Sequence, residues 1–291
     1  MPAWLKMARV AAIGVALAVA APPADAEDVT VLPDKARIVA IGGAVTEIVF
    51  ALGEQKHLVA RDSTSTWPKE AMALPDVGYM RALSPEGVLS VEPTGILALQ
   101  GSGPKEAVDV LKKAIVPYVE VPETYDHAGI LKKIRIVGRA LGVENKAAAL
   151  AADTDAKLKA AEARTANVEK RKRVLFILSM QGGKILAAGR DTAADGIVRL
   201  AGAVNAVDGF SGYKQLSDEA IVTAAPDVIL MMDHAGPTVS DETLFASAAI
   251  GRTPAGAARK VIRMDGGYLL GFGPRTADAI GDLAAALYVD K

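Results

Sequence analysis

Two tyrosines carry the first chemical signal in this 291-residue chain. Gly78-Tyr79 and Gly212-Tyr213 each precede a matching run, Leu83-Ser84-Pro85-Glu86 and Leu216-Ser217-Asp218-Glu219. Tyrosine offers an aromatic face and a hydroxyl, and its anion is a hard oxygen donor. A free tyrosine ionises near pH ~10, so the anion needs help at neutral pH. Arg81, just past Tyr79, is a cation near enough in sequence to give it. On residue type alone, both tyrosines read as loop or packing residues with a hydrogen-bonded hydroxyl. Arg275, where the last helix starts, can hold a carboxylate bidentately or serve in a surface ion pair. Glu86 and Glu219 fall in first helical turns, where a carboxylate complements the helix dipole.

Other chemistries lack their residues. There is no cysteine, hence no disulfide, thiol nucleophile or thiolate metal site. The three histidines, His57, His127 and His234, lie near no Ser/Asp constellation, and no G-x-S-x-G elbow is present. The glycine pairs lack P-loop or dinucleotide spacing. The chain therefore does not read as an enzyme. His57 reads as a surface residue and His127 as structural. A formal net charge of −1 gives no footprint for nucleic acid.

The elements that position these residues come in two sets. Residues 1–26 read as a cleaved signal peptide, with Lys6 and Arg9, the apolar run Val10 to Ala21, and Ala24-Asp25-Ala26 as the cleavage site. Without a cysteine at that site, a free periplasmic protein is expected. Strands are predicted at 37–41, 58–60, 95–99 and 117–121, alternating with helices, which implies a parallel sheet over 27–143. Residues 144–170, rich in Ala, Lys and Glu, predict a linking helix of about seven turns, or about 39 Å. The rhythm then restarts over 171–291, with strands at 173–178, 185–188, 228–232 and 261–264 and a closing helix from Arg275 to Tyr288. The matched Leu-Ser-x-Glu runs each open a short capped helix that leads through a proline into a buried strand. The expected fold is α/β, with two parallel-sheet lobes, a long interdomain helix and a ligand cleft between the lobes.

Three segments carry a resemblance: Gly42-Gly43-Ala44-Val45-Thr46-Glu47-Ile48, Asp76-Val77-Gly78-Tyr79-Met80-Arg81, and Gly271-Phe272-Gly273-Pro274-Arg275. Together they resemble the haemin-binding proteins of bacterial ABC importers, within a superfamily that includes cobalamin and ferric-siderophore binders. The resemblance spans the mature chain and implies two α/β lobes joined by one stiff helix. It further implies capture of ferric haem (haem b, as cargo) in the periplasm by a monomer, and delivery to an inner-membrane permease. Tyr79 would then ligate the iron, a known axial ligand type, with Arg81 beside it. Arg275 would meet a propionate, and Tyr213 would stack on the porphyrin. Glu86 and Glu219, one per lobe, would dock onto permease arginines. Some relatives place a histidine, as a second haem ligand, in the loop that here reads Ser179-Met180-Gln181-Gly182-Gly183. Its absence leaves a second haem without that ligand. Met180 reads as an apolar wall, and His234 is the remaining histidine for a sixth position. The alternative cargo is a ferric siderophore or cobalamin.

Overall fold

The computed structural model describes residues 29–233 and 239–288. The expected signal peptide and His234 lie outside the described residues. Among the described residues there are ten strands: β1 Ile38–Ile41, β2 Leu58–Arg61, β3 Gly95–Leu99, β4 Tyr118–Val121, β5 Arg173–Gln181, β6 Lys184–Ala188, β7 Val204–Asn205, β8 Tyr213–Leu216, β9 Val228–Asp233 and β10 Val261–Asp265. The helices are α1 Gly43–Ala51, α2 Pro85–Leu89, α3 Lys105–Lys113, α4 His127–Ala140, α5 Glu144–Ala163, α6 Ala193–Leu200, α7 Asp218–Ala224, α8 Asp241–Phe245, α9 Ala248–Gly251, α10 Pro254–Ala257, α11 Gly266–Leu270 and α12 Thr276–Tyr288.

The first sheet is all parallel, in the order β2-β1-β3-β4. Its strands are short and almost wholly apolar because helices cover both faces. The second sheet repeats that order as β7-β5-β9-β10, also parallel. It departs from the expected parallel sheet on one edge. There β5 outruns the two-residue β7, turns through Gly182-Gly183 and pairs antiparallel with β6, which pairs antiparallel with β8. Ser179, Met180 and Gln181, expected in a loop, are thus the end of β5. The matched runs behave alike: Ser84 caps α2, which leads to β3, and Ser217 caps α7, which leads to β9.

Alternation along the second sheet separates two cores. Val174, Phe176, Val228 and Leu230 join the large cluster shared with the first lobe. Leu175, Ile177, Ile229 and Met231 face an outer cluster with Ile185, Ile221 and Ile250. The large cluster runs through Ile130, Ile134 and Val137 of α4, Ala147, Ala151 and Leu158 of α5, and Ile280, Leu283 and Leu287 of α12. Gly142, at φ +66, separates α4 from α5. These two helices approach closely: a Cβ on Gly138 would lie 2.1 Å from the Ala147 Cβ. Helix α5 spans 20 residues, about 30 Å, and ends at Ala163, short of the expected 170. Residues 164–167 turn instead, and Thr165 packs against Gly202.

Charged groups also cross between the lobes. Glu47 of α1 accepts from the Arg275 backbone N–H and from its Nε, both at 2.9 Å. The Arg275 guanidinium lies between the rings of Trp67 (4.4 Å) and Tyr268 (5.5 Å). Lys133 of α4 is fully buried, pairs with Glu123 at 2.5 Å and lies 5.8 Å from the Phe272 ring centre.

Two substitutions test which contacts hold the lobes together. Leu158→Ala is expected to cost about 2–5 kcal/mol in urea unfolding, because it opens a cavity under α5. Arg275→Ala is expected to cost about 3–5 kcal/mol, because it strands the buried Glu47 carboxylate. A loss below 1 kcal/mol for Arg275→Ala, about the worth of an exposed pair, would show that the Glu47 pair does not join the lobes.

Candidate functional site

The cleft-facing residues of the first lobe sit beyond the carboxyl ends of its strands, the usual ligand side of an open α/β sheet. Glu47 follows β1 on the first turns of α1, Glu123 and Tyr125 follow β4, and Tyr79 follows the segment bonded to the end of β2. The second lobe contributes Tyr213, at the start of edge strand β8, and the 271–275 segment between α11 and α12.

Tyr79 is held from both sides. Met80 and Leu83 are buried anchors, and the turn closes with Ala82 N–H donating to Tyr79 O at 2.8 Å. Gly103 pins that turn by donating to Met80 O and accepting from Leu83 N–H, each at 2.8 Å. The Tyr79 ring is left 45% exposed, unusual for a large aromatic flanked by core residues. Arg81 folds back, with Nη1 donating to Tyr79 Oη at 2.9 Å and its guanidinium carbon 6.0 Å from the ring centre.

Gly78 and Gly212 precede the two tyrosines at φ +101 and +81. Nothing crowds either Cα, so the positive φ itself favours glycine at both. The fold brings Tyr213 into the electrostatic field of Tyr125, Arg81 and Tyr79. Burial pushes the Tyr213 phenol up, so it remains a neutral donor at physiological pH; Arg81 opposes that shift. Burial works against the Arg81 charge too, but the hydrogen bond to Tyr79 and the fields of Tyr79, Tyr125 and Tyr213 outweigh it and raise its pKa.

Tyr125 and Glu123, which the sequence reading did not single out, lie in the electrostatic field of Arg81. Tyr125 packs edge-on against Phe272 of the opposite lobe, with ring centres 5.3 Å apart at 69°. Burial raises its pKa, as does Glu123, against the pull of Arg81. Burial likewise pushes the Glu123 carboxyl up and the Lys133 ammonium down, each opposed by its partner. The available signal was Pro122-Glu123-Thr124-Tyr125 directly after a predicted strand, the expected place for cleft residues.

The expected residues differ in what holds them. Tyr79, Arg81 and Tyr213 lie within one another's electrostatic reach, with Tyr125. Arg275 is tied to Glu47 through its backbone N–H and Nε. Glu86 and Glu219 are exposed, at equivalent positions of α2 and α7. Glu86 accepts from the Ser84 hydroxyl at 2.8 Å, which lowers its pKa. His57 is half-buried between Ala36 O and Glu54 rather than on the surface, because the short turn before β2 folds under the first strand. His127 bridges Asp155 and Glu162 of α5, which agrees with its structural reading. A recess of about 530 Å³ lined by Lys112, Ile115, Tyr118 and Glu120 lies at the amino end of β4, away from the cleft. Among the described residues there is no cluster of three or more His or acidic side chains that could hold a metal ion, and no helix is long and apolar enough to cross a membrane.

Comparison with known proteins places this geometry. Residues 38–268 match the family model described as periplasmic binding protein. The solved structure of the periplasmic heme-binding protein BhuT in complex with two hemes is 41% identical, with a TM-score of 0.83, over 87% of this chain and 97% of that one. An uncharacterized ABC transporter substrate-binding lipoprotein, YvrC of Bacillus subtilis, is 28% identical over 91% of this chain and 83% of its own length. The vitamin B12-binding protein of Vibrio parahaemolyticus is 26% identical over 72% of this chain and 74% of its own. The chain thus belongs to the periplasmic binding protein family, the extracytoplasmic substrate-binding components of ABC importers.

Proposed function

We propose that this protein captures ferric haem in its interlobe cleft and delivers it to an inner-membrane ABC permease. The observation that carries this reading is Tyr79, an exposed phenol presented by buried neighbours, with Arg81 bonded to its oxygen at 2.9 Å. A phenolate is a hard anionic donor suited to ferric iron and is a known axial haem ligand. Tyr125 and Tyr213 supply aromatic surface for a flat macrocycle. Arg81, and the Nη groups of Arg275 not used by Glu47, supply cations for propionates. Likeness to a heme-binding protein at 41% identity supports the same cargo. A corrinoid would use the same cleft without needing a phenolate. Glu86 and Glu219, exposed at equivalent positions on the two lobes, fit a two-point contact with the permease.

Haemin titration of the purified mature protein tests the cargo. A shifted Soret band is expected, with an endpoint that counts the haems. Tyr79→Ala should alter the band and weaken binding at least about tenfold, the scale on which supporting ligands act. Tyr79→Phe should alter the band while changing unfolding stability by no more than about 0.5 kcal/mol, as for a surface substitution. No binding of micromolar haemin, with binding of cyanocobalamin or a ferric siderophore in the same assay, would replace haem as cargo. For delivery, Glu86→Lys or Glu219→Lys should reduce uptake into permease-bearing vesicles with haemin affinity unchanged. Unchanged uptake in the double variant would remove these residues from the docking surface.

A further inference from the structure

Three residues before Tyr79 stands a carboxylate held from several sides. Asp76 collects three donors. Arg61 Nη1 donates to its Oδ2 at 3.0 Å, and Ser63 Oγ and the Gly78 backbone N–H each donate to its Oδ1 at 2.9 Å. The backbone doubles these links. Arg61 N–H donates to Pro75 O, Val77 N–H to Arg61 O, and Ser63 N–H to Gly78 O, each at 2.9 Å. Residues 75–78 are thereby laced to the end of β2 up to the residue before Tyr79. That platform is itself tied down. Asp62 is fully buried and accepts from Gly42 N–H, Thr64 N–H and the hydroxyls of Thr64 and Ser65.

The second lobe provides an internal control. Gly212 O accepts from Gly189 N–H much as Gly78 O accepts from Ser63 N–H. Gly212 N–H donates to a backbone carbonyl, Arg190 O, where Gly78 N–H donates to the Asp76 carboxylate. The two lobes thus orient equivalent Gly-Tyr pairs by different acceptors, and only the Tyr79 side uses a side chain. The Gly78 N–H donating to the Asp76 carboxylate fixes the peptide plane before Gly78, the Ser63 N–H donating to Gly78 O fixes the plane after it, and between them the φ of +101 and the direction in which Tyr79 leaves are set.

We propose that Asp76 is the positioning residue for Tyr79: its Oδ1, shared by Ser63 Oγ and Gly78 N–H, holds the phenol in the geometry that meets the ligand. This rests on the reading of Tyr79 as the iron-facing group. The position of the acceptor matters, rather than the charge. Asp76→Asn can retain Oδ1 for Ser63 and Gly78, but replaces the Oδ2 that accepts from Arg61 with an Nδ2 donor. Asp76→Glu keeps the charge but moves the acceptor by a methylene, and Asp76→Ala removes it.

The test compares wild type with these three variants by haemin absorption spectrum, haemin Kd, and hydrogen exchange of the Gly78 amide in the ligand-free protein. Asp76→Asn should retain the wild-type Soret band and a Kd within about twofold. Asp76→Ala and Asp76→Glu should alter the band, weaken binding by about tenfold and speed Gly78 exchange by a similar factor, the effect expected when a supporting bond is lost. Asp76→Glu decides the matter should Asp76→Ala fail to fold. A wild-type spectrum and Kd in Asp76→Glu overturn the inference, as does loss of the band in Asp76→Asn to the same degree as in the other two. Wild type that binds no haemin defeats the cargo reading instead, an outcome distinct from variants that match a haemin-binding wild type.

Discussion

A run of alternating charge links the two lobes and reaches Arg81 beside Tyr79. It begins at Arg275, bound by Glu47. The field of Glu47 reaches the buried Lys133, Lys133 pairs with Glu123, and Glu123 feels Arg81, which bonds Tyr79. Cations and anions alternate from the base of the interface to its mouth. Removing Glu123 would leave Lys133 a buried charge without its partner, which is far costlier than losing an exposed ion pair. The chain crosses from one lobe to the other at Glu47–Arg275, and Lys133 also faces the Phe272 ring across the interface. Lobe separation would break bonds and expose apolar surface together.

Packing reinforces the same constraint. The large apolar cluster is continuous from the first sheet through α4, α5 and α12 into the inner face of the second sheet. Helix α5 is therefore more than a spacer, with Ala147 and Ala151 close against α4 and Leu158 and Ala161 buried further along. The small residues let the helices approach closely, and the 20-residue length sets the span.

Duplication supplies the architecture, and departures from it supply the chemistry. Both lobes place a positive-φ glycine before a tyrosine and a serine-capped helix before a buried strand. The order β2-β1-β3-β4 recurs as β7-β5-β9-β10. The symmetry ends where the second lobe adds the β6 and β8 ladder and puts Tyr213 on an edge strand, while Tyr79 stays in a pinned turn beside Arg81. An exposed phenol bonded to a cation on one wall is set against a protonated phenol, Tyr213, from the other.

Local patterns were legible in the chain. Apolar runs marked the main strands, the serine caps and prolines marked the repeat, and Gly142 marked the break before the linking helix, because each of these depends on neighbours within a few residues. Strand β8 was not visible, since Tyr213-Lys214-Gln215-Leu216 has little apolar pattern and becomes a strand by pairing with β6. Helix α5 was read as reaching 170 because composition does not reveal that Thr165 leaves the helix to pack on Gly202. Of the site, Tyr79, Arg81 and Tyr213 could be named from motif and symmetry. Their convergence, the addition of Glu123 and Tyr125, and the capture of Arg275 by Glu47 were decided by tertiary structure. Residues 47 and 275 lie 228 positions apart, and which of several carboxylates an arginine meets follows from how two sheets dock, not from any spacing along the chain.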